Sequence, residues 1–146
     1  MQGDLYLCGQ KVKEEDDIMK LEKGQTFSTT EQVDKYRAIY YAGASGDFNP
    51  IHIDADFGKL VGLGGAILQG LCTLGFTAKS VTDWIGDPGK LKRLKCRFSA
   101  PVKMEDTLTF QGEVVEVKDG KGIVSVKVSK QTGQEVITNV SAEVTL

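Results

Sequence analysis

A stretch with almost no charge, Ala66–Ile85, constrains the fold more than any other part of this sequence. Apart from Lys79 and Asp83 its residues are uncharged, and most are apolar or small, including Gly70 and Gly75. This composition predicts a helix that is buried nearly all round, with glycines that let a neighbouring backbone approach closely. The Gly-Asp-Pro-Gly sequence that follows is expected to end the helix.

Four β patterns follow this helix, separated by turns rich in glycine or proline. Short turns between strands favour an antiparallel meander. The predicted strands are Leu91–Phe98, Thr107–Val117, Gly122–Lys130 and Glu135–Leu146. In the last strand, alternate residues are expected to share one face: Val136, Thr138, Val140, Ala142 and Val144. A sheet that wraps one central helix accounts for this order, so we expect an α+β domain.

The part of the chain before the central helix is more polar. Residues 1–25 are expected to form an N-terminal arm, helical around Glu14–Leu21, and residues 26–146 a single domain. A short strand is predicted at Thr26–Thr29. Thr30 is then expected to cap a helix, because acidic residues between Glu31 and Asp34 would occupy its first turn.

The predicted first helix is rich in tyrosine. Its apolar stripe is expected to consist of Tyr36, Ile39, Tyr40 and Ala44. Tyr36, Tyr40 and Tyr41 are expected to lie in the core or in a dimer interface. One sheet with exposed edges cannot cover all of this apolar surface. Edge pairing with a second copy would cover it, so we expect a dimer.

Composition and charge exclude several classes of protein. The chain has 146 residues and a net charge of -2, so it lacks the basic footprint of a nucleic-acid-binding protein. No apolar run reaches the roughly 20 residues of a membrane-spanning helix, and the N-terminus lacks the pattern of a signal peptide. Cys8, Cys72 and Cys96 are scattered and form no zinc motif, which predicts a reducing, cytoplasmic location and no structural metal.

The segment Ala44–Asp54 carries residues suited to chemistry. It contains Asp47 and His52, the only histidine of the chain. A neutral imidazole is a natural general base near pH 7, and a neighbouring carboxylate can fix its tautomer or help to handle a proton. An isolated Asp and His at this spacing would more often be a helix cap and a satisfied loop histidine. Six specified positions together favour a site: Gly46, Asp47, Asn49, Pro50, His52 and Asp54.

The run Gly46–Asp54 resembles the signature of the MaoC-like enoyl-thioester hydratases and dehydratases, also called R-specific hydratases or hydratase 2. A second match is Ala66–Leu71, where the family has an apolar pair followed by His-Gly at the start of its central helix. Further matches look much like a subunit of the mycobacterial (3R)-hydroxyacyl-carrier-protein dehydratases: Thr82–Gly89, Arg97–Phe98 and Ala100–Val102. The resemblance covers about residues 20–146 in the expected order.

The resemblance implies a dimeric hotdog fold, in which an antiparallel sheet wraps a long helix, and an activity on acyl thioesters without a cofactor. Asp47 and His52 would be the catalytic pair. They would add water to a trans-2-enoyl thioester of coenzyme A or acyl carrier protein, giving a (3R)-3-hydroxyacyl thioester, or catalyse the reverse dehydration. Asn49 would support the loop or the catalytic pair through its amide, and Gly70 would donate its backbone N–H to the thioester carbonyl as the enolate forms.

Two positions depart from the family pattern. Gln69 stands where the family has histidine before Gly70. Glutamine can orient a neighbour or a substrate by hydrogen bonding, but it cannot carry a proton at neutral pH. Ala78 stands where some members have a serine on the central helix.

Two other functions stay open at this point. A hotdog thioesterase usually places its carboxylate differently, and a non-catalytic acyl-thioester-binding partner of a heterodimer would be expected to have lost Asp47 or His52. The basic segment Lys90–Arg97 is expected to be a solvated strand face, with a phosphate landing site for the thioester carrier as the minority interpretation. Asp54 and Asp56 near His52 are weak evidence for a metal.

Overall fold

The computed structural model describes residues 6–7, 10–11 and 20–146. Two short strands, β1 (Tyr6–Leu7) and β2 (Gln10–Lys11), pair antiparallel. The later elements are β3 (Thr26–Gln32), α1 (Arg37–Ser45), α2 (Pro50–Ile53), α3 (Ala55–Leu60), α4 (Gly70–Ile85), a 3-10 turn (Pro88–Lys90), β4 (Leu91–Phe98), β5 (Thr107–Lys118), β6 (Lys121–Lys130) and β7 (Glu135–Thr145).

Much of the predicted N-terminal arm lies outside the described residues, including Cys8 and residues 14–19 of its expected helix. Lys20 and Leu21 are described and are not helical. Leu21 is buried in the hydrophobic core, so this part of the chain packs on the sheet. Within the described residues, no helix has the length and apolarity needed to cross a membrane.

Strands β3 to β7 form one antiparallel sheet in the order β3-β5-β6-β7-β4. The predicted meander is confirmed for β5, β6 and β7. It is wrong for β4, which pairs with β7 at the edge of the sheet and not with β5, the next strand along the chain. Asp119 and Gly120 join β5 to β6 with φ angles of 51° and 72°. Two successive residues in the left-handed region suit the twist of a tight hairpin. An Asp-Gly pair adopts this conformation easily, so the sequence predicts the turn.

The alternation predicted for β7 is wrong in its first half. Val136 and Ile137 are neighbours and both are buried. The register between β6 and β7 shifts here, and Asn139 adopts a φ of 52°. Thr138 is therefore only half-buried and does not share the predicted face. The later residues of that face are buried as expected: Val140, Ala142 and Val144.

The central helix α4 starts later than predicted. Residues 66–69 are not helical, because Leu68 N–H donates to Val102 O at 2.7 Å and Ile67 forms a β-bridge with Lys103. The helix begins at Gly70 and ends, as predicted, at a left-handed Gly86 with a φ of 80°. This late start places a helix N-terminus beside the segment that leads into it.

The expectation that α4 is buried nearly all round is wrong. Leu71 is 61% exposed, and Lys79 also faces solvent. The buried face carries hydroxyl groups as well as apolar ones. Thr77 Oγ1 donates to Thr73 O at 2.9 Å, and Ser80 Oγ donates to Thr77 O at 2.8 Å. These hydroxyls can be buried because the helix's own carbonyls satisfy them.

The first helix also differs from its prediction. Thr30–Gln32 continue β3, because they pair with Thr107–Thr109 of β5. Thr30 is therefore not a helix cap. The helix α1 begins at Arg37, and Asp34 Oδ1 accepts a hydrogen bond from Tyr36 N–H at 2.8 Å just before it.

The buried face of α1 is not the predicted stripe. Ala38 and Ala42 point into the protein. Tyr36, Ile39 and Tyr40 are 50%, 48% and 62% exposed. The small alanines allow α1 to approach closely, so its large apolar side chains are left on the surface of the single chain.

Candidate active site

The loop that carries Asp47 starts where α1 ends. Gly46 adopts a φ of 76° and donates its N–H to Ala42 O at 2.8 Å, a helix end that glycine forms without strain. Ser45 Oγ accepts a hydrogen bond from Asp47 N–H at 3.2 Å. These two bonds fix the direction in which the chain leaves the helix.

A single helical turn, α2, then positions His52. Asn49 caps this turn, because its Oδ1 accepts a hydrogen bond from Ile51 N–H at 3.2 Å, and Pro50 occupies the first helical position. Asn49 N–H also lies 3.4 Å from Asp47 Oδ1. With both ends of the loop fixed, Asp47 Oδ2 lies 3.6 Å from His52 Nε2.

His52 is held in one orientation by a backbone carbonyl. Its side chain is largely buried, and Nδ1 lies 2.8 Å from Ile67 O. Because a carbonyl oxygen only accepts, Nδ1 carries the proton and Nε2 of the neutral ring is the acceptor. Ile67 is fixed in turn by its N–H bond to Ile51 O at 3.0 Å. The basic nitrogen of His52 therefore faces the Asp47 carboxylate, which is 46% exposed.

Gly70 offers a backbone donor at the start of α4. As the first residue of the helix, its N–H has no acceptor within the helix, and the helix dipole adds partial positive charge there. A Cβ at this position would lie 3.0 Å from Phe98 Cε1. Glycine therefore lets the Phe98 ring stand against the backbone at the helix N-terminus.

These groups share one cleft of about 480 Å³. Asp47, His52, Gln69 and Gly70 line it together with apolar side chains from the segment before α4, the first turn of α4, the end of β4, the segment after it and β7. The apolar lining residues are Leu63, Ile67, Leu68, Leu71, Phe98, Ala100, Pro101, Val102, Val136 and Ile137. A pocket with mostly apolar walls and a few polar groups is typical of a site for a small molecule with an apolar part.

The structure thus brings four of the five predicted site residues to the cleft. Asn49 does not line it; its side chain serves as the cap of α2 instead. Sequence reasoning missed the carbonyl of Ile67 as the partner of His52, because backbone acceptors leave no trace in residue types. It also gave Phe98 no role in the site, although Arg97–Phe98 lies in a segment that resembles the family.

The basic residues of β4 lie mostly on another face. Directly paired residues in a sheet share a face, and Arg93, Lys95 and Arg97 pair with Glu143, Ser141 and Thr138. Their partners are half-buried, whereas the residues of β7 that face α4 are buried. These cations therefore lie on the face of the sheet away from α4, which fits a solvated strand face.

The two described thiols are not candidate nucleophiles. Burial raises the pKa of the Cys72 thiol, with Arg37 opposing and Glu31 adding to that effect. Burial also raises the pKa of Cys96. Both thiols therefore stay protonated near neutral pH, and a protonated thiol is a poor nucleophile.

Comparison with known proteins places this geometry in a family. The sequence pattern described as "MaoC like domain" matches residues 15–136. The chain belongs to the MaoC-like domain family. The peroxisomal enoyl-CoA hydratase 2 of Arabidopsis thaliana is 41% identical over 80 residues, which are 53% of this chain and 26% of that protein. The MaoC-like chain thus spans about a quarter of that relative's length.

Two solved structures share the fold of this MaoC-like chain. The unliganded R-hydratase PhaJ1 from Pseudomonas aeruginosa has a TM-score of 0.78 at 27% identity, covering 86% of this chain and 81% of that one. The ChsH1–ChsH2 complex from Mycobacterium tuberculosis gives 0.77 at 27% identity, covering 87% and 99%. The predicted α+β hotdog fold, one antiparallel sheet with a long helix packed on it, is confirmed.

Proposed function

We propose that this MaoC-like domain is a hydro-lyase that adds water to trans-2-enoyl thioesters to give (3R)-3-hydroxyacyl thioesters, or catalyses the reverse dehydration. The observation that carries the proposal is the placement of three groups around one apolar cleft: the Asp47 carboxylate, His52 Nε2 and the Gly70 N–H. The names of two similar proteins, an enoyl-CoA hydratase 2 and an R-hydratase, support this chemistry.

The acid–base step belongs to Asp47 and His52. Their facing atoms, Oδ2 and Nε2, are 3.6 Å apart, so one water molecule can hydrogen-bond to both. As the water oxygen bonds to C3, its proton passes to the pair, and the electrons of the C2=C3 bond move toward the thioester carbonyl. The pair then returns a proton to C2 on the same face, which gives syn addition. The reverse order of steps removes water.

The Gly70 N–H stabilises the charge that this step creates. The enolate carries negative charge on the former carbonyl oxygen, and a fixed N–H donor at a helix N-terminus is oriented toward such charge before the reaction begins. Losing one donor of this kind typically costs about 10²- to 10³-fold in kcat. Asn49 supports the pair by capping α2 and does not contact the substrate in this mechanism.

The lining of the cleft supports the proposed substrate class. Its apolar lining suits the acyl chain, while the thioester carbonyl is placed at Gly70 and C3 at the pair. The thiol carrier is coenzyme A or an acyl carrier protein. The reaction uses only water, the thioester and groups of the chain itself, so we assign no role to a cofactor or a metal.

We further propose that the protein acts as a dimer or a higher oligomer. Strands β3 and β4 are the two edges of the sheet. Large apolar side chains are exposed in the single chain, among them Leu60 at 81%, Phe48 at 57% and Phe98, which lines the cleft, at 51%. A second copy would cover them. ChsH1–ChsH2 is a complex of two different chains, so a related partner chain is the alternative to a second copy. A cytoplasmic location stays a prediction.

The direct test is hydration of crotonyl-coenzyme A, followed as loss of the enoyl-thioester absorbance. Wild type is expected to consume the substrate, and Asp47→Asn is expected to lower kcat by about 10³-fold, because general acid–base groups contribute of that order. Asp56→Asn is the matched control, since among the described residues the Asp56 side chain bonds only the exposed Lys59. His52→Ala is expected to match Asp47→Asn.

The same assay separates the alternative functions. Release of free thiol, measured with a thiol reagent, would identify a thioesterase. A folded wild type that is inert on short and long enoyl thioesters would contradict the proposal for this chain alone and favour a non-catalytic partner subunit. Activity retained in Asp47→Asn would contradict the assignment of the pair.

A further inference from the structure

Gln69 is the most deeply buried polar side chain near the cleft. It is 1% exposed, and it occupies the N-cap position of α4, directly before Gly70. Its side chain does not cap the helix. It reaches instead toward two backbone carbonyls of the preceding helix and loop.

Both donors of the Gln69 carboxamide are used by these carbonyls. Nε2 lies 3.0 Å from Ala38 O in α1 and 3.4 Å from Asp47 O in the loop that follows α1. Since carbonyl oxygens only accept, the amide cannot be flipped without losing both bonds. The two bonds therefore fix the amide orientation and join α1, the loop of Asp47 and the start of α4.

This orientation of the amide leaves one buried polar atom without a hydrogen bond to any described residue. Among the described residues, Gln69 Oε1 is buried and has no hydrogen-bond partner. A buried polar atom without a partner is unfavourable and uncommon in native structures. An apolar residue of similar shape would avoid the cost, so the retained amide indicates that its two N–H bonds serve a purpose beyond packing.

The purpose follows from what the amide holds. The main chain of Asp47 is tied at its N–H by Ser45 Oγ and at its carbonyl by Gln69 Nε2. The carboxylate of Asp47 must keep its 3.6 Å separation from His52 Nε2 while its side chain stays partly exposed. A neutral imidazole, which the family resemblance places here, has one N–H and could hold only one of the two carbonyls.

We propose that Gln69 is a positioning residue, whose carboxamide holds the backbone of Asp47 and thereby sets the distance between the Asp47 carboxylate and His52. It neither transfers a proton nor contacts the substrate. This inference rests on the proposed hydratase function for its kinetic consequence, but its structural consequence can be measured without any substrate.

The test compares Gln69→Met and Gln69→Glu with Gln131→Met. Methionine keeps the shape and removes both donors; glutamate keeps the shape and has at most one donor, the O–H of its protonated form. Gln131 is the control, because it also bonds through both ends of its amide, to Thr107 N–H at 2.9 Å and Asp106 Oδ1 at 2.8 Å, but lies outside the cleft. Circular dichroism establishes that each variant is folded.

The kinetic readout is kcat against KM for crotonyl-coenzyme A. Both Gln69 variants are expected to lose about ten- to a hundredfold in kcat, with KM changed by less than about threefold, because a displacement of about 1 Å at a reacting group can cost 10²-fold. Gln131→Met is expected to keep both constants. A folded Gln69→Met or Gln69→Glu with the wild-type kcat would overturn the proposal, since a role in packing alone lowers only stability.

The second readout is the NMR spectrum of the His52 ring, which is unambiguous because the chain has one histidine. Displacement of Asp47 is expected to move the ring resonances in both Gln69 variants and to leave them in place in Gln131→Met. Unmoved resonances would overturn the proposal even if wild type proves inert on every enoyl thioester. An inert wild type with moved resonances would instead contradict only the hydratase function.

Discussion

Two regions of the molecule are stabilised in different ways. One is the sheet, and the other is residues 37–60 (α1, α2 and α3 with their connections), which we call the catalytic excursion. Strands β5, β6 and β7 supply most of the fully buried side chains, among them Phe110, Val124 and Val128. In the excursion the buried residues are Ala38, Ala42, His52 and Gly58, and the other residues are at least partly exposed.

The difference separates stability from geometry. The sheet is held by buried apolar area and by long ladders of backbone hydrogen bonds, so the loss of one contact changes its stability more than its geometry. The excursion buries little area and is held by single directional bonds, such as those from Asn49 Oδ1 to Ile51 N–H and from His52 Nδ1 to Ile67 O. We therefore expect mutations in the sheet to change mainly the free energy of unfolding, and mutations in the excursion to change mainly kcat.

The largest expected effect on stability comes from the sheet. Phe110 is 1% exposed and does not line the cleft. Phe110→Ala is expected to lower the free energy of unfolding by about 3–5 kcal/mol, through lost burial and the cavity that is left. Urea denaturation measures this loss. At a temperature where the variant is folded, kcat should stay near wild type; a large fall in kcat would mean that the two regions are coupled.

A mutation in the excursion is expected to have a smaller effect on the free energy of unfolding and a larger effect on kcat. Asn49→Ala removes the cap of α2 and should lower the free energy of unfolding by about 1 kcal/mol. We expect kcat to fall about tenfold, because the turn that spaces Asp47 and His52 loosens. Asp87→Ala is the matched control: its Oδ1 accepts a similar bond from Gly89 N–H at 2.8 Å, away from the cleft. Equal kcat values for both variants would contradict the separation of stability from catalytic geometry.

The smallest effect concerns pH. Burial raises the pKa of the Cys72 thiol above its ordinary value of 9.0, so the folded state holds this proton more tightly than the unfolded chain. The resulting stabilisation is complete below that value and is lost as pH rises toward the folded-state pKa. Urea denaturation at pH 7.5 and at pH 9.5 should show a decrease that is smaller in Cys72→Ala. An identical decrease in the free energy of unfolding of wild type and Cys72→Ala would mean that other titrating groups cause it.

The parts of the fold that the sequence predicted well are those with strong local signals. The bounds of β4 to β7 follow from alternation and from turns such as Asp119–Gly120, and the end of α4 follows from Gly86. Each of these signals acts within a few residues, so tertiary contacts did not override it. The short helices α2 and α3 were not predicted, although Asn49 and Pro50 are residue types that favour a helix start.

The errors come from contacts between distant residues. Thr30 has the residue type of a cap, but its pairing with Thr109 extends β3 through it. The sheet contact of Leu68 with Val102 delays the start of α4, and Ala38 and Ala42 form the buried face of α1 in place of the predicted stripe. The pairing of Gln69 with two carbonyls was equally hidden, because backbone acceptors carry no residue identity.

The contact between Gly70 and the Phe98 ring couples two positions that are far apart in the sequence. A methyl group at position 70 would lie 3.0 Å from Phe98 Cε1, so the ring would have to shift by a few tenths of an ångström to admit it. A smaller residue at position 98 makes no such demand, since it leaves Gly70 unchanged. A side chain at the helix terminus is therefore accommodated more easily once the residue at the end of β4 is smaller.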